Sequence, residues 1–137
     1  MQLQFSADWA VRVLLYLAAK GKLTPSSELS AVLGINKNSL LTIGRKMKHA
    51  KLVHVEQGPF GGYSLAKPPE AITIHDILAA FDDTLKFSDL QNMPNVFAQA
   101  ADDFYSETEI NVAQMLKSKT LADLLMESAG VTCASSL

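Results

Sequence analysis

The sequence predicts a mostly α chain with a small β-hairpin (α+β), and three observations predict it. Apolar residues recur at helical spacing through most of the 137 residues. One stretch, Leu52 to Leu65, sets alternating β-formers on either side of a Gly/Pro-rich tip, the pattern of a two-stranded hairpin. Charge is divided around that hairpin. Residues 1–67 carry nine Lys and Arg against three acids, a net +6, whereas residues 68–137 carry three against eleven, a net −8. The overall charge of −2 conceals this division. A basic segment joined to an acidic one points to a polyanion-binding face beside a part that stays off the polyanion.

Composition sets the class. An apolar fraction of 48% with 19% charged residues is that of a globular chain able to bury a core, not a disordered one. No apolar run reaches the roughly 18 residues of a membrane span, and the start MQLQFSADWAVR lacks a signal peptide's basic lead, so a cytoplasmic location is expected. The single cysteine, Cys133, excludes an internal disulfide and a cysteine metal cluster.

In chain order, Ser6 is expected to cap a helix running to about Lys20, with Val11, Leu14, Leu15 and Ala18 at core spacing, Trp9, Val13 and Leu17 widening that face, and Gly21 as its stop. Arg12 is its one arginine, expected at the surface or on a phosphate. Thr24 and Pro25 read as a start pair for a helix to Leu33 with Leu29, Val32 and Leu33 inward and Gly34 as its stop. Asn36 can cap the next helix, Asn36 to Lys51, which holds five of the twelve Lys and Arg and no acid.

That helix resolves into two faces. At about 100° per residue, Ile43, Gly44 and Met47 fall within roughly 60° of Leu40 as an apolar stripe. Asn38, Thr42, Arg45 and His49 lie around the opposite pole, with hydrogen-bonding groups of the kinds that read base edges in a major groove. Asn36 and Ser39 join this candidate reading set, and Lys37, Lys46 and Lys48 flank it where phosphates would lie. Two short helices about a Gly turn, over residues 24–51, form a helix-turn-helix pattern whose first N-terminus, near Ser26 and Ser27, offers N–H groups to a phosphate. The hairpin over 52–66 is then a wing, and its tip, Gln57, Gly58, Pro59, Phe60 and Gly61, is expected to approach the adjacent minor groove.

After the boundary at Pro68 and Pro69, Thr73 and Asp76 resemble a capping box for a helix to Phe81 bearing Ile74, Ile77, Leu78 and Phe81, expected to pack on the first helix. Residues 1–81 therefore read as one domain. Residues 82–137 read as a connection, a long helix over about 95–117, a short helix over about 121–128 and a mobile tail. Phe97, Ala101, Phe104, Thr108 and Met115 fall on one side of the long helix, and no further layer remains in the chain to cover them, so a partner surface is expected.

The run LVHVEQGPFGGYSLAKPP followed by ITIHDILAAF resembles the signature of the Rrf2 family of bacterial winged helix-turn-helix transcription regulators. Gly58, Pro59, Gly61, Gly62 and Tyr63 match its wing, Leu65 to Pro69 match the segment after it, and the similarity runs from Ala10–Leu14 through Thr120–Leu125. The resemblance implies a homodimer joined through the long helix, a palindromic site on double-stranded DNA and, most often, repression. It also implies in many members an iron–sulfur cluster held by three cysteines before the long helix. Thr84 to Tyr105 contains no cysteine, so no cofactor is expected, and a small molecule or a partner protein is left as effector. The family commonly has Arg before Gly-Pro where this chain has Gln57, which loses the charge that a narrow minor groove attracts. Asn36 and Asn38 stand where small hydroxyl residues are usual and Leu41 where an acid is frequent, which predicts a different preferred sequence.

Gln57 also favours the competing reading, a winged-helix protein-interaction module that has lost DNA binding. An enzyme is not expected: His49, His54 and His75 lie on a helix face, a strand and a helix start, with no two placed to cooperate.

Overall fold

A computed structural model of the chain describes residues 5–81 and 96–135, with backbone alone for Phe5 and residues 129–135. The order is α1 (Phe5–Lys20), α2 (Ser26–Leu33), α3 (Lys37–His49), β1 (Val53–Glu56), β2 (Gly62–Leu65), a 3₁₀ turn (Pro69–Ala71), α4 (Ile74–Ala80), α5 (Val96–Ser118) and α6 (Leu121–Ser135). The connection expected over Asp82 to Pro94 and the helix start at Asn95 lie outside the described residues.

The core is built on α1. Ala7, Ala10, Val13, Leu14 and Leu17 are fully buried, so the helix turns a stripe displaced from the expected one inward, and Val11, Leu15 and Ala18 are only half-buried. The small Ala7 and Ala10 allow close approach on that side, which apolar spacing alone does not reveal. Ser6 lies within the helix rather than capping it. Gly21, at φ +66°, ends α1 and donates its N–H to the Leu17 carbonyl at 2.9 Å.

Thr24 does not cap α2. Pro25 occupies the N-cap position with no side-chain cap, while Thr24 is buried and its hydroxyl donates to the Lys22 carbonyl at 3.1 Å. Its backbone is taken by the wing instead. Thr24 N–H donates to Tyr63 O at 2.8 Å and Tyr63 N–H to Thr24 O at 2.9 Å, making a short third rung beside β2. Gly62 permits the approach, since a Cβ there would stand 2.2 Å from the Thr24 carbonyl oxygen. On α2, Leu29 is buried and Leu33 half-buried, but Val32 is 58% exposed, contrary to its expected inward position. α2 is only eight residues long, about two turns, and Leu29 is its one fully buried residue.

α4 begins with the expected capping box: Asp76 N–H donates to Thr73 Oγ1 and Thr73 N–H to Asp76 Oδ2, both at 3.1 Å. The same device recurs at α6, where Thr120 and Asp123 exchange bonds of 3.0 and 3.1 Å. The two starts are joined, with Ile74 N–H on Lys119 O at 3.0 Å and Leu121 N–H on Ile72 O at 2.9 Å. This clip returns α6 to the body formed by residues 5–81, where it packs on α1 with Leu121 fully buried. α6 also continues to Ser135, through the segment expected as a mobile tail, because one glycine such as Gly130 costs a helix only about 1 kcal/mol.

Candidate nucleic-acid interface

The helix pair is set by its turn. Gly34 adopts φ +73° and donates to Ser30 O at 2.9 Å, Ser30 Oγ donates to Ile35 O at 2.6 Å, and Asn36 Oδ1 then caps α3 by accepting from Asn38 N–H at 2.7 Å. Asn36 thus spends its side-chain oxygen on the helix. Tyr16 on α1 donates its hydroxyl to Glu28 Oε2 at 2.7 Å, and Lys20 lies 3.4 Å from the same oxygen. The Tyr16 hydroxyl, joined by Lys20, holds the Glu28 carboxyl below its ordinary range. This contact ties α2 to α1. Nothing in the linear order relates position 16 to position 28.

α3 presents its two faces as expected. Leu40, Ile43, Gly44 and Met47 are buried, while Lys37, Asn38, Thr42, Arg45, Lys46, Lys48 and His49 are exposed and Ser39 is half-exposed. Thr42 Oγ1 bonds back to Asn38 O at 3.2 Å. Leu41, 49% exposed, adds an apolar group at the border of this face where an acid is frequent in the family. Of the flanking cations, Lys46 differs: its ammonium lies 5.4 Å from the Phe81 ring centroid, drawn toward the core-side aromatic rather than left wholly to solvent. Ser26 and Ser27 open α2 and are both exposed. Arg12 is engaged locally, 3.3 Å from Asp8 and over the Trp9 ring at 5.5 Å.

The wing pairs Val53 with Leu65, His54 with Ser64, Val55 with Tyr63 and Glu56 with Gly62. Its tip closes by Gly61 N–H donating to Gly58 O at 3.0 Å, with Gly58 at φ +102°. Gln57 to Phe60 are exposed and Gly61 half-exposed, and the Phe60 ring is 92% exposed. The wing is locked to α3 by Tyr63, whose buried ring lies against Gly44; burial pushes its hydroxyl pKa up, partly opposed by Arg45.

α5 has no buried residue among the 23 of its length. Phe97 is 86% exposed, Phe104 64% and Met115 71%, with Ala101 exposed and Thr108 half-buried, its hydroxyl returned to Phe104 O at 2.8 Å. Val96, Ile110 and, on α6, Met126 add exposed apolar surface beyond the expected stripe. His49, His54 and His75 sit on α3, β1 and α4. No helix among the described residues is long and apolar enough to cross a membrane.

A family model described as Rrf2, iron-dependent transcriptional regulator, matches residues 3–127. A protein of Aquifex aeolicus named as an HTH-type transcriptional regulator is 30% identical over 124 residues, covering 85% of this chain and 86% of its own. Among solved structures, CymR, described as the global cysteine regulator of B. subtilis, superposes with TM-score 0.79 at 21% identity, covering 93% of this chain and 98% of its own. IscR of T. potens does so with TM-score 0.75 at 22% identity over 93% and 88%. The donor set of this chain does not fit the iron–sulfur cluster that the resemblance implies for many members of the family. A cluster rests on several thiolates, and the chain has one cysteine, with no group of three His, Cys, Asp or Glu suited to a metal among the described residues.

Proposed function

The chain belongs to the Rrf2 family of transcription regulators, and on that premise we propose that it is a sequence-specific DNA-binding repressor that reads a palindromic site as a homodimer. The observation that carries this reading is the exposed basic face of α3, with Asn38 and Thr42 on it, held rigidly by its buried stripe and by Tyr63 of the wing. Asn38, Thr42 and Arg45 meet base edges, and Ser39 and His49 border them. Asn36 retains its amide N–H₂ for the duplex. Lys37, Lys48, the N-terminus of α2 at Ser26 and Ser27, and more weakly Lys46, hold phosphates. The tip from Gln57 to Gly61 enters the minor groove without an arginine, which leaves the discrimination to α3.

The dimer reading is supported by α5, where Phe97, Phe104 and Met115 stand in solvent at helical spacing, a surface that a second copy would bury. Two α3 helices about one DNA turn apart then read a palindrome. A small molecule or partner protein that alters their spacing would act as effector, without an iron–sulfur step. Selection of bound duplexes from genomic fragments by the purified protein tests the proposal. A palindrome with half-sites about one turn, roughly 10 base pairs, apart is expected. Absence of duplex binding at low salt would leave the protein-interaction reading, which Gln57 favours, in its place.

A further inference from the structure

Beside the reading face, an open groove of about 470 Å³ lies between the C-terminal end of α3 and the base of the wing. Its rim is Lys48, Lys51, His54 and Lys67, its floor is apolar at Val53 and Val55, and no acid lines it. Among the described residues, none of the three lysines forms an ion pair, whereas Arg12, Lys20 and Lys119 each do. Cations of one sign around a low-dielectric wall focus their field into the groove and concentrate anions there.

Lys51 carries the point further. The α3 terminus is a Schellman turn, with Leu52 N–H on Met47 O at 2.9 Å and Lys51 N–H on Lys48 O at 3.0 Å. Lys51 sits at its left-handed position with φ +62°, the only non-glycine residue with positive φ among those described. Glycine takes this conformation without steric cost, so Lys51 bears a backbone strain there that glycine would not, while lining the groove.

We propose that this groove is a phosphate-binding site formed by Lys48, Lys51, His54 and Lys67, distinct from the base-reading face of α3. The phosphate belongs either to a free phosphorylated small molecule or to the backbone of a bound duplex, and the two sources separate experimentally. The protein, ¹⁵N-labelled, is titrated with inorganic pyrophosphate at constant ionic strength, alongside the Lys51→Gly/Lys67→Gln variant. The glycine relieves the strained position, so the variant keeps its fold.

For a free ligand, saturable shifts centred on the amides of Lys51, His54 and Lys67 are expected, weakened at least about tenfold in the variant, as loss of two charge-assisted bonds implies. For a backbone phosphate, the variant lowers the slope of log affinity against log salt for a duplex by about 2, since each contact contributes close to one. A protein showing no saturable pyrophosphate shifts at these amides, and no change of salt slope in the variant, would overturn the site. Pyrophosphate binding in the groove by a protein that binds no duplex would keep this inference while removing the regulator reading.

Discussion

The Tyr63 ring occupies the place where any side chain at position 44 would stand: a Cβ on Gly44 would lie 2.6 Å from Tyr63 Oη and 2.7 Å from its Cε1. The wing and α3 are thus one rigid piece, joined where the helix has no side chain. Gly44→Ala is expected to destabilise the fold by about 1–3 kcal/mol through overpacking. Denaturant unfolding measures it, and adding Tyr63→Leu should recover part of the loss. Simple additivity of the two changes would show that the contact is not the cause.

Arg45→Ala is expected to relax preference at one base pair of each half-site by about 1–3 kcal/mol, whereas Lys37→Ala should weaken all duplexes alike and reduce the salt slope by about one. Lys46→Ala should give a smaller phosphate effect and an added stability loss of about 0.5–1 kcal/mol, because its ammonium lies over Phe81. Competition binding against single-base operator variants distinguishes the three.

Phe104→Glu on α5 should shift the protein from dimer to monomer while circular dichroism stays unchanged. Removing two symmetry-related aromatics from an interface and adding two charges costs at least about 3 kcal/mol, or two orders of magnitude in dimer affinity. Light scattering at micromolar concentration reads the outcome, and a monomeric parent protein would refute the interface.

Thr120→Ala removes the α6 cap and should cost about 1 kcal/mol. The Thr120 N–H holds the Asp123 carboxyl below its ordinary 3.8. A depressed carboxyl contributes stability above its unfolded pKa and loses it as pH falls through the folded value. Asp123→Asn should therefore lower the Tm at pH 7, with the difference from the parent vanishing at acid pH below the folded value; a difference constant with pH would contradict the assignment.

Lys51→Gly alone should raise stability by about 0.5–1 kcal/mol, because glycine carries no Cβ penalty at positive φ. A loss of stability on chemical unfolding would mean that the lysine side chain itself supports the α3 terminus.

The sequence by itself determined the helix-turn-helix, the two faces of α3, the wing and the exposed stripe of α5. These depend on periodicities of 3.6 and 2 and on local stop signals, which act between residues a few positions apart. The capping pair Thr73 and Asp76 was legible for the same reason. Only the tertiary structure decided which stripe of α1 faces inward, why Thr24 abandons its cap to pair with Tyr63, and how Glu28 meets Tyr16. It alone brought α6 back onto α1 and gathered Lys48, Lys51 and Lys67 around one groove. Each of these joins residues far apart in the chain, where the winning arrangement is fixed by the packing of the whole core and by backbone hydrogen bonds that must be satisfied once buried.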